Sequence, residues 1–221
     1  MNGYSEAFLV IGAKGHAKEV LEVLYKQNFH HNLAFYDDTS NDLSELFFDE
    51  YPIYRSIEEA KQRFEKAENF VLGVGNPLLR HQLTQKFRAI GGQLMSVIAD
   101  NATIGHYEVA LASGLNVMSG VLISNSVFVG EGTLLNAGCA LHHDVRVGNY
   151  CEVAPGARLL GGCSIGNLCS IGANATVLPK VKIGNHVVVG AGAVITKDVK
   201  DNCVVVGVPG KWSRNLEALN V

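Results

Sequence analysis

From Val117 onward, the chain places an aliphatic residue at every sixth position. The spacing runs through fourteen consecutive hexads, which begin at Val117, Ile123, Val129, Leu135, Leu141, Val147, Val153, Leu159, Ile165, Ile171, Val177, Ile183, Val189 and Ile195. Glycine is frequent at the second position, and the fifth position is always small or β-branched. A period of six fits neither a 3.6-residue helix nor an amphipathic strand between hairpins. It predicts a β-solenoid with three hexads per coil, in which residues 18 apart stack and His143 lies between Asn125 and Gly161.

The start of the repeat is less regular. Ile98 and Ile104 predict an earlier, partial coil, and the segment HYEVALASGLN (106–116) shifts the register by one residue before the strict period begins.

The first 95 residues have a different pattern. AFLVIGAKGHAKEVLEVLYKQ predicts a strand, a glycine turn and an amphipathic helix, and LAFYDD predicts a second strand that ends in acids. NFVLGVGNPLLRHQLTQKFRAIGG predicts a further strand, a turn and a helix, whereas His30 and His31 fall in a loop. Alternating strands and helices predict a small Rossmann-like βαβαβ domain with a parallel sheet. We therefore expect an α/β domain over residues 1–95 and a β-solenoid over residues 96–221.

Composition narrows the function classes. The 221-residue chain has a net charge of −3, which gives no basic footprint for nucleic acid. The start MNGYSEAFLVIG lacks the cationic and long apolar segments of a signal peptide, and no run is long enough to span a membrane, so we expect a cytoplasmic protein. Four of the five cysteines occupy the fifth hexad position, where we expect inert, buried packing residues: Cys139, Cys151, Cys163 and Cys169.

The glycine turn of the first domain is a candidate phosphate site. Gly12 and Gly15 lie where the first strand meets the first helix, and a helix N-terminus favours an anion. Their G-x-x-G spacing is not the full dinucleotide fingerprint, so a tight turn and a phosphate site both remain open. Asp37 and Asp38 end the second strand, where a doubly wound domain presents an acid to a ribose; surface turn residues are the alternative.

The combination of GAKGHAKEV, YDD and GVGNPLLR with the hexapeptide run resembles one family over nearly the whole chain. This family is the hexapeptide-repeat acyltransferases, which fold as a left-handed parallel β-helix. Within the family, the chain resembles the subfamily of bacterial nucleotide-sugar N-acetyltransferases of the bacillosamine, perosamine and viosamine type and of sialic acid O-acetyltransferases. The resemblance implies a homotrimer that binds acetyl-CoA between neighbouring subunits and a nucleotide-sugar in the N-terminal domain. The implied reaction is acetylation of the amino group of a UDP-, GDP- or dTDP-linked 4-amino-4,6-dideoxy sugar, for surface-glycan biosynthesis.

The resemblance also implies substrate-binding residues in the first domain. By the matching motifs, Gly12, Gly15 and His16 would contact the diphosphate, and Asp37, followed by Asp38, would lie near the nucleoside. Asn76 and Arg80 match the motif after the third predicted strand.

The adjacent histidines in LHHDV are the candidate catalytic residues. Acetyl transfer from a thioester needs a base, donors for the developing oxyanion and alignment of the two substrates, and histidine titrates near neutral pH. The family motif is an acid, then His, then Asp, so the resemblance implies His143 as the base. His142 replaces the acid, which leaves Asp144 to orient the imidazole; His142 itself either bonds to the base or faces solvent. The alternative is that both histidines are exposed turn residues.

The coenzyme residues are also implied by the resemblance. Glu152 replaces a histidine that in several relatives contacts the acetyl-CoA carbonyl, and since a carboxylate cannot donate unless protonated, Glu152 either loses this contact or binds the acceptor. Small residues would let the pantetheine arm approach the backbone, and lysines would contact phosphates: Gly161, Gly172, Ala173, Gly190, Ala191, Lys197 and Lys211.

Three other interpretations stay open. The same base would serve an O-acetyltransferase of the sialic acid type, and a trimer without catalysis would be a nucleotide-sugar-binding module. A zinc site would draw on His106, His142, His143 and His186, but these do not show the spacing of metal ligands, so we expect no metal.

Overall fold

The computed structural model describes residues 8–42, 44–65 and 68–219. Residues 1–7, on which part of the signal-peptide argument rests, lie outside the described residues. The chain divides into two compact units, one of Met1–Gly75 with Leu79–Val97 and one of Asn76–Leu78 with Ile98–Val221. Among the helices that the structure describes, none combines the length and apolar character needed to cross a bilayer.

The first unit is a six-stranded sheet with helices, in the strand order β3-β4-β2-β1-β5-β6. Its elements are β1 (Phe8–Ile11), α1 (Gly15–Lys26), β2 (Leu33–Tyr36), β3 (Leu46–Phe47), β4 (Tyr51–Tyr54), α2 (Ile57–Phe64), β5 (Asn69–Leu72), α3 (Pro77–Arg88) and β6 (Gln93–Leu94). All pairs are parallel except β3 with β4. β1 and β2 are buried along their whole length, as expected for a parallel sheet covered on both faces. The predicted α/β class is confirmed.

Part of this unit was absent from the sequence prediction. The hairpin β3–β4 and helix α2 lie between the second and third predicted strands. The third predicted strand is therefore β5 of the structure. A capping box starts α2: Glu59 N donates to Ser56 Oγ at 3.3 Å and Ser56 N donates to Glu59 Oε2 at 2.9 Å. This Ser-x-x-Glu pattern is a readable helix start, and it was missed. The predicted loop at His30 and His31 is a short 3₁₀ helix, His30–Asn32.

The second unit is a three-sided parallel β-helix. Its first sheet has the order β25-β24-β22-β19-β16-β13-β10-β7, the second β23-β20-β17-β14-β11-β8, and the third β21-β18-β15-β12-β9. The strands are β7 (Val97–Ile98), β8 (Thr103–Ile104), β9 (Ala110–Leu111), β10 (Asn116–Val117), β11 (Leu122–Ile123), β12 (Phe128–Val129), β13 (Leu134–Leu135), β14 (Ala140–Leu141), β15 (Arg146–Val147), β16 (Glu152–Val153), β17 (Arg158–Leu159), β18 (Ser164–Ile165), β19 (Ser170–Ile171), β20 (Thr176–Val177), β21 (Lys182–Ile183), β22 (Val188–Val189), β23 (Val194–Ile195), β24 (Cys203–Val206) and β25 (Lys211–Asn215). We call the turns from first to second sheet corner A, from second to third corner B, and from third to first corner C.

The hexads map directly onto these strands. Each of the fourteen aliphatic residues is the second residue of a strand from β10 to β23, and each is buried in the core of the prism. Leu141 pairs with Leu159 and Leu159 with Val177, so residues 18 apart stack as predicted. The earlier coil is also present: Ile104 pairs with Ile123, 19 residues on, whereas Leu111 pairs with Val129, 18 residues on. The extra residue therefore lies between Ile104 and Leu111.

A ladder of hydrogen bonds to side-chain oxygens of Asn and Asp runs down corner C. Asn167 Oδ1 accepts from Asn149 N at 2.8 Å, Asn185 Oδ1 from Asn167 N at 2.8 Å, and Asp201 Oδ1 from Asn185 N at 2.9 Å. A Cβ built on Gly148 would lie 2.5 Å from Asn167 Oδ1. Glycine follows the aliphatic residue here because the next coil occupies the space of a side chain.

The five cysteines are free and buried. Burial raises the pKa of Cys139 and of Cys163 to about 12. Both thiols are therefore protonated at physiological pH and serve as packing groups.

Candidate active site

His143 lies in corner B, in the turn between β14 and β15. Its Nδ1 is 2.7 Å from Asp144 Oδ2, and the two side chains are 70% and 63% exposed. An ionised carboxylate only accepts, so the proton of this bond belongs to Nδ1, and in the neutral ring the lone pair is on Nε2. The Asp144 backbone has φ 63°, the left-handed conformation that turns the chain at this corner. The pair presents a basic nitrogen on the surface of the β-helix.

Gly161 is the neighbour of His143 in the next coil. Gly162 N donates to His143 O at 2.9 Å, and a Cβ built on Gly161 would lie 2.5 Å from His143 Nε2. The Gly161 N–H makes no hydrogen bond with any part of the chain that the structure describes. An imidazole and a free backbone donor therefore occur side by side.

His142 and Glu152 are placed differently. His142 is half-buried, its backbone N donates to Leu159 O at 2.9 Å, and its ring has no hydrogen bond within the described ranges. Glu152 is in β16 of the first sheet, paired with Leu134 and Ser170. Because His143 is in corner B, one chain does not bring Glu152 beside it.

Most of the predicted coenzyme residues fall at two corners of the prism. Gly161 and Lys197 share corner B with His143, and Lys211 is in β25 of the first sheet. The remaining four are in corner A: Gly172, Ala173, Gly190 and Ala191. A Cβ on Gly172 would lie 2.5 Å from Ala191 N, so coil packing by itself requires this glycine.

In the first unit, Gly12 is required by its own conformation. Its φ is 111°, its N donates to Tyr36 O at 2.7 Å, and a Cβ would lie 2.9 Å from Gly73 O. Gly15 begins α1 and has open space around its Cα. The turn therefore brings the start of α1 close to the ends of β2 and β5, with room at Gly15.

His16 and Arg80 are largely internal. The His16 side chain is 9% exposed, its Nδ1 is 2.9 Å from Glu19 Oε2, and its Nε2 is buried without a partner among the described residues. Burial lowers the pKa of His16, and the nearby Arg80 charge adds to this, against the opposing effect of Glu19. Arg80 is fully buried and donates to Val74 O at 2.7 Å, which fixes the loop after β5. Asn76 immediately precedes α3.

The two predicted acids have partners within the unit. Asp37 accepts hydrogen bonds from the backbone and hydroxyl groups of Thr39 and Ser40, at 2.9 to 3.1 Å. Burial by itself raises the pKa of Asp37, but these four bonds outweigh it and hold the pKa below its ordinary value. Burial by itself also raises the pKa of Asp38. Hydrogen bonds from Lys86 and Tyr36, both 2.7 Å long, outweigh this effect and hold the pKa of Asp38 below its ordinary value.

Two cavities flank the glycine turn. Asp37 and Asp38 line one of about 100 Å³. The other, of about 410 Å³, is lined by the predicted Gly15 and by residues that the sequence analysis missed, among them Lys14, Lys18 and Phe48. Lys18 Nζ lies 5.5 Å from the centre of the Phe48 ring. The two lysines, four apart in GAKGHAKEV, were a readable signal for a cationic helix start, whereas no pattern identified Phe48.

The histidines considered as zinc ligands in the sequence analysis do not come together in a metal site. No group of three or more His, Cys, Asp or Glu side chains within residues 8–42, 44–65 and 68–219 is placed to hold a metal ion. His186 is in corner C, where its Nδ1 lies 3.1 Å from Asn202 Oδ1.

Comparison with known proteins matches both units. Residues 7–87 match the PglD N-terminal domain family, and residues 126–161 and 162–197 match the bacterial transferase hexapeptide (six repeats) family. No curated protein sequence matches the chain.

Solved structures match over almost the whole length. PerB from Caulobacter crescentus, in complex with CoA and GDP-perosamine, is 31% identical over 95% of this chain and 98% of its own, with a TM-score of 0.85. A variant of perosamine N-acetyltransferase from the same organism, with a histidine replaced by asparagine and the same two ligands bound, is 29% identical over 96% and 98%, with a TM-score of 0.87. The acetyltransferase domain of PglB from Neisseria gonorrhoeae, in complex with acetyl coenzyme A, is 27% identical over 94% and 99%, with a TM-score of 0.85. The predicted left-handed β-helix is confirmed.

Proposed function

Because the chain belongs to the hexapeptide-repeat nucleotide-sugar N-acetyltransferases, we propose that it acetylates the amino group of a nucleotide-linked 4-amino-4,6-dideoxy sugar. Its acyl donor is acetyl-CoA. The observation that carries the proposal is the exposed His143–Asp144 pair. The chain that holds this pair matches, over 95% of its length, an enzyme whose structure contains CoA and GDP-perosamine.

In the proposed reaction, His143 is the general base. Asp144 holds the Nδ1 proton, so Nε2 removes a proton from the sugar amine as its nitrogen attacks the thioester carbon. The free Gly161 N–H next to the imidazole is the proposed donor to the oxyanion of the tetrahedral intermediate. When the C–S bond breaks, the imidazolium returns the proton to the leaving thiolate. The amine must be uncharged to attack.

We propose that the working unit is a homotrimer. Four of the proposed coenzyme residues are in corner A and His143 is in corner B, so a site that contains both sets needs corners from two protomers. Light scattering of the purified protein should give three chains per particle, and a monomer with full activity would contradict the proposal.

For the sugar substrate, we propose that the glycine turn at Gly12 and Gly15 receives the diphosphate. The open space at Gly15 and the lysines at the start of α1 support this placement. The proposed setting is the cytoplasm and surface-glycan biosynthesis; free, buried cysteines fit a reducing compartment.

A substrate panel tests the activity. UDP-, GDP- and dTDP-linked 4-amino sugars, with sialic acid as a hydroxyl acceptor, are incubated with acetyl-CoA, and released thiol is measured. We expect turnover of a nucleotide-linked amino sugar, and His143→Asn should lower kcat by about 10²–10⁴-fold while calorimetry still detects both substrates. His186→Asn, in corner C, is the matched control and should keep wild-type kcat. Turnover of sialic acid alone would assign O-acetylation, and full activity of His143→Asn would reject the base.

A further inference from the structure

The third hexad position forms a column down corner B. It carries Asn125, His143, Gly161, Pro179 and Lys197 in successive coils. Gly161 is the only one of the five without a Cβ. Its backbone lies outside the left-handed region, so the conformation does not call for glycine. At corner A the same hexad position carries Ala137, Ala173 and Ala191, so the fold accepts a Cβ there.

The space of the missing Cβ is filled by the His143 ring. The three atoms nearest to a Cβ built on Gly161 are Cε1, Nε2 and Nδ1 of His143, the last two at 2.5 and 3.2 Å. By contrast, a Cβ on Gly148 or Gly166 would meet backbone atoms of the next coil at 2.6 to 2.8 Å. At Gly161 the three nearest atoms all belong instead to an exposed imidazole.

We propose that Gly161 is a positioning residue for His143. The ring occupies the space that a Cβ of Gly161 would take, while Asp144 holds Nδ1, and these two contacts together set the direction of Nε2. This role is separate from any contact of Gly161 with the coenzyme, and it rests on the proposed function because it is read through the rate of acetyl transfer.

The size of the effect follows from the distances. Ordinary contact with a Cβ begins at 3.4 Å, so Gly161→Ala moves Nε2 by about 1 Å. A misplacement of about 1 Å can lower a catalysed rate on the order of 10²-fold. The ring is 70% exposed in the single chain and is not part of the core of the β-helix, so we expect no loss of stability.

The test compares Gly161→Ala with the wild type in the assay above. We expect kcat to fall about 10²-fold, with KM for both substrates within about twofold and an unchanged thermal midpoint. In the His143→Asn background the same substitution should cost far less than the loss of about 10²-fold expected in the wild type, because the ring that it displaces is gone. Ala137→Gly, which alters one Cβ at the same hexad position of another corner, should keep wild-type kcat.

Several results would overturn the inference. They are an unchanged kcat, a raised KM for acetyl-CoA with unchanged kcat, a full further loss in the His143→Asn background, or failure of Gly161→Ala to fold. If the wild type acetylates none of the sugars, the proposed function fails on its own. The inference is then decided by crystal structures, in which the His143 ring must have moved in Gly161→Ala relative to the wild type.

Discussion

Gly148→Ala should destabilise the β-helix, because the next coil already occupies the space that the new methyl group needs. The added Cβ would lie 2.5 Å from Asn167 Oδ1 and 2.7 Å from the backbone C and O of Gly166. The side-chain amide of Asn167 can turn away from the added methyl group, but it then loses the hydrogen bond that it accepts from Asn149 N. The Gly166 carbonyl is held in place, because its oxygen accepts from Cys151 Sγ at 3.0 Å and its peptide partner Asn167 N donates to Asn185 Oδ1 at 2.8 Å in the next coil.

The expected cost is that of overpacking a rigid core. An extra methylene forced into a well-packed site costs about 1–3 kcal/mol. For a chain of 150–250 residues, 1 kcal/mol moves the thermal midpoint by about 2–4 °C, so Gly148→Ala should lower it by about 2–12 °C. Gly161→Ala is the matched control: the three atoms nearest to the same methyl group belong to an exposed ring, and its midpoint should equal that of the wild type.

The assay is thermal unfolding followed by circular dichroism, at one protein concentration, because assembly makes the midpoint depend on concentration. The double variant Gly148→Ala/Asn167→Ala separates the two contacts. It removes the amide oxygen but leaves the Gly166 backbone in place, so it should stay destabilised relative to Asn167→Ala, which loses the hydrogen bond from Asn149 N by itself. A wild-type midpoint for Gly148→Ala would refute the packing argument, and recovery in the double variant would show that the amide, not the backbone, sets the limit.

Three further predictions concern single groups. Asp144→Ala removes the acceptor for His143 Nδ1, and since a hydrogen bond to a charged group contributes about 1.5 kcal/mol or more, kcat should fall about tenfold; an unchanged kcat would mean that the ring is oriented without Asp144. The pKa of Asp37 is held below its usual 3.8 in the folded state, so its carboxylate stabilises the fold at neutral pH and this contribution is lost as the pH falls through the lowered pKa. Urea unfolding should therefore show Asp37→Asn to be less stable than the wild type at pH 7, with a deficit that shrinks below pH 3.8; a constant deficit would contradict the assignment. The five buried cysteines should resist iodoacetamide at about pH 8 until the protein is unfolded in urea, as counted by mass spectrometry, and labelling of the native protein would contradict their burial.

The β-helix could be predicted from sequence because its period is local. Each hexad places one aliphatic residue inward, and three hexads close a coil, so the partner of Leu141 follows from counting to Leu159. In the first unit the alternation of β1, α1 and β2 was equally readable. The hairpin β3–β4 was missed because its strands are short and β3 has one buried residue, Phe47, which leaves little periodic signal.

In the candidate site, too, some features follow from the sequence and others only from the tertiary structure. The sequence by itself determined that His143 and Asp144 are adjacent in a turn of the repeat, and that Gly161 follows one coil later. Only the tertiary structure decided that the imidazole occupies the space that a Cβ of Gly161 would take, that Asp37 is bound by its own loop, and that Glu152 is on another sheet from the His143 corner. A repeat fixes which residues stack, since stacking depends on spacing alone. Where a side chain points depends on the atoms that surround it, and these come from parts of the chain that no local pattern connects.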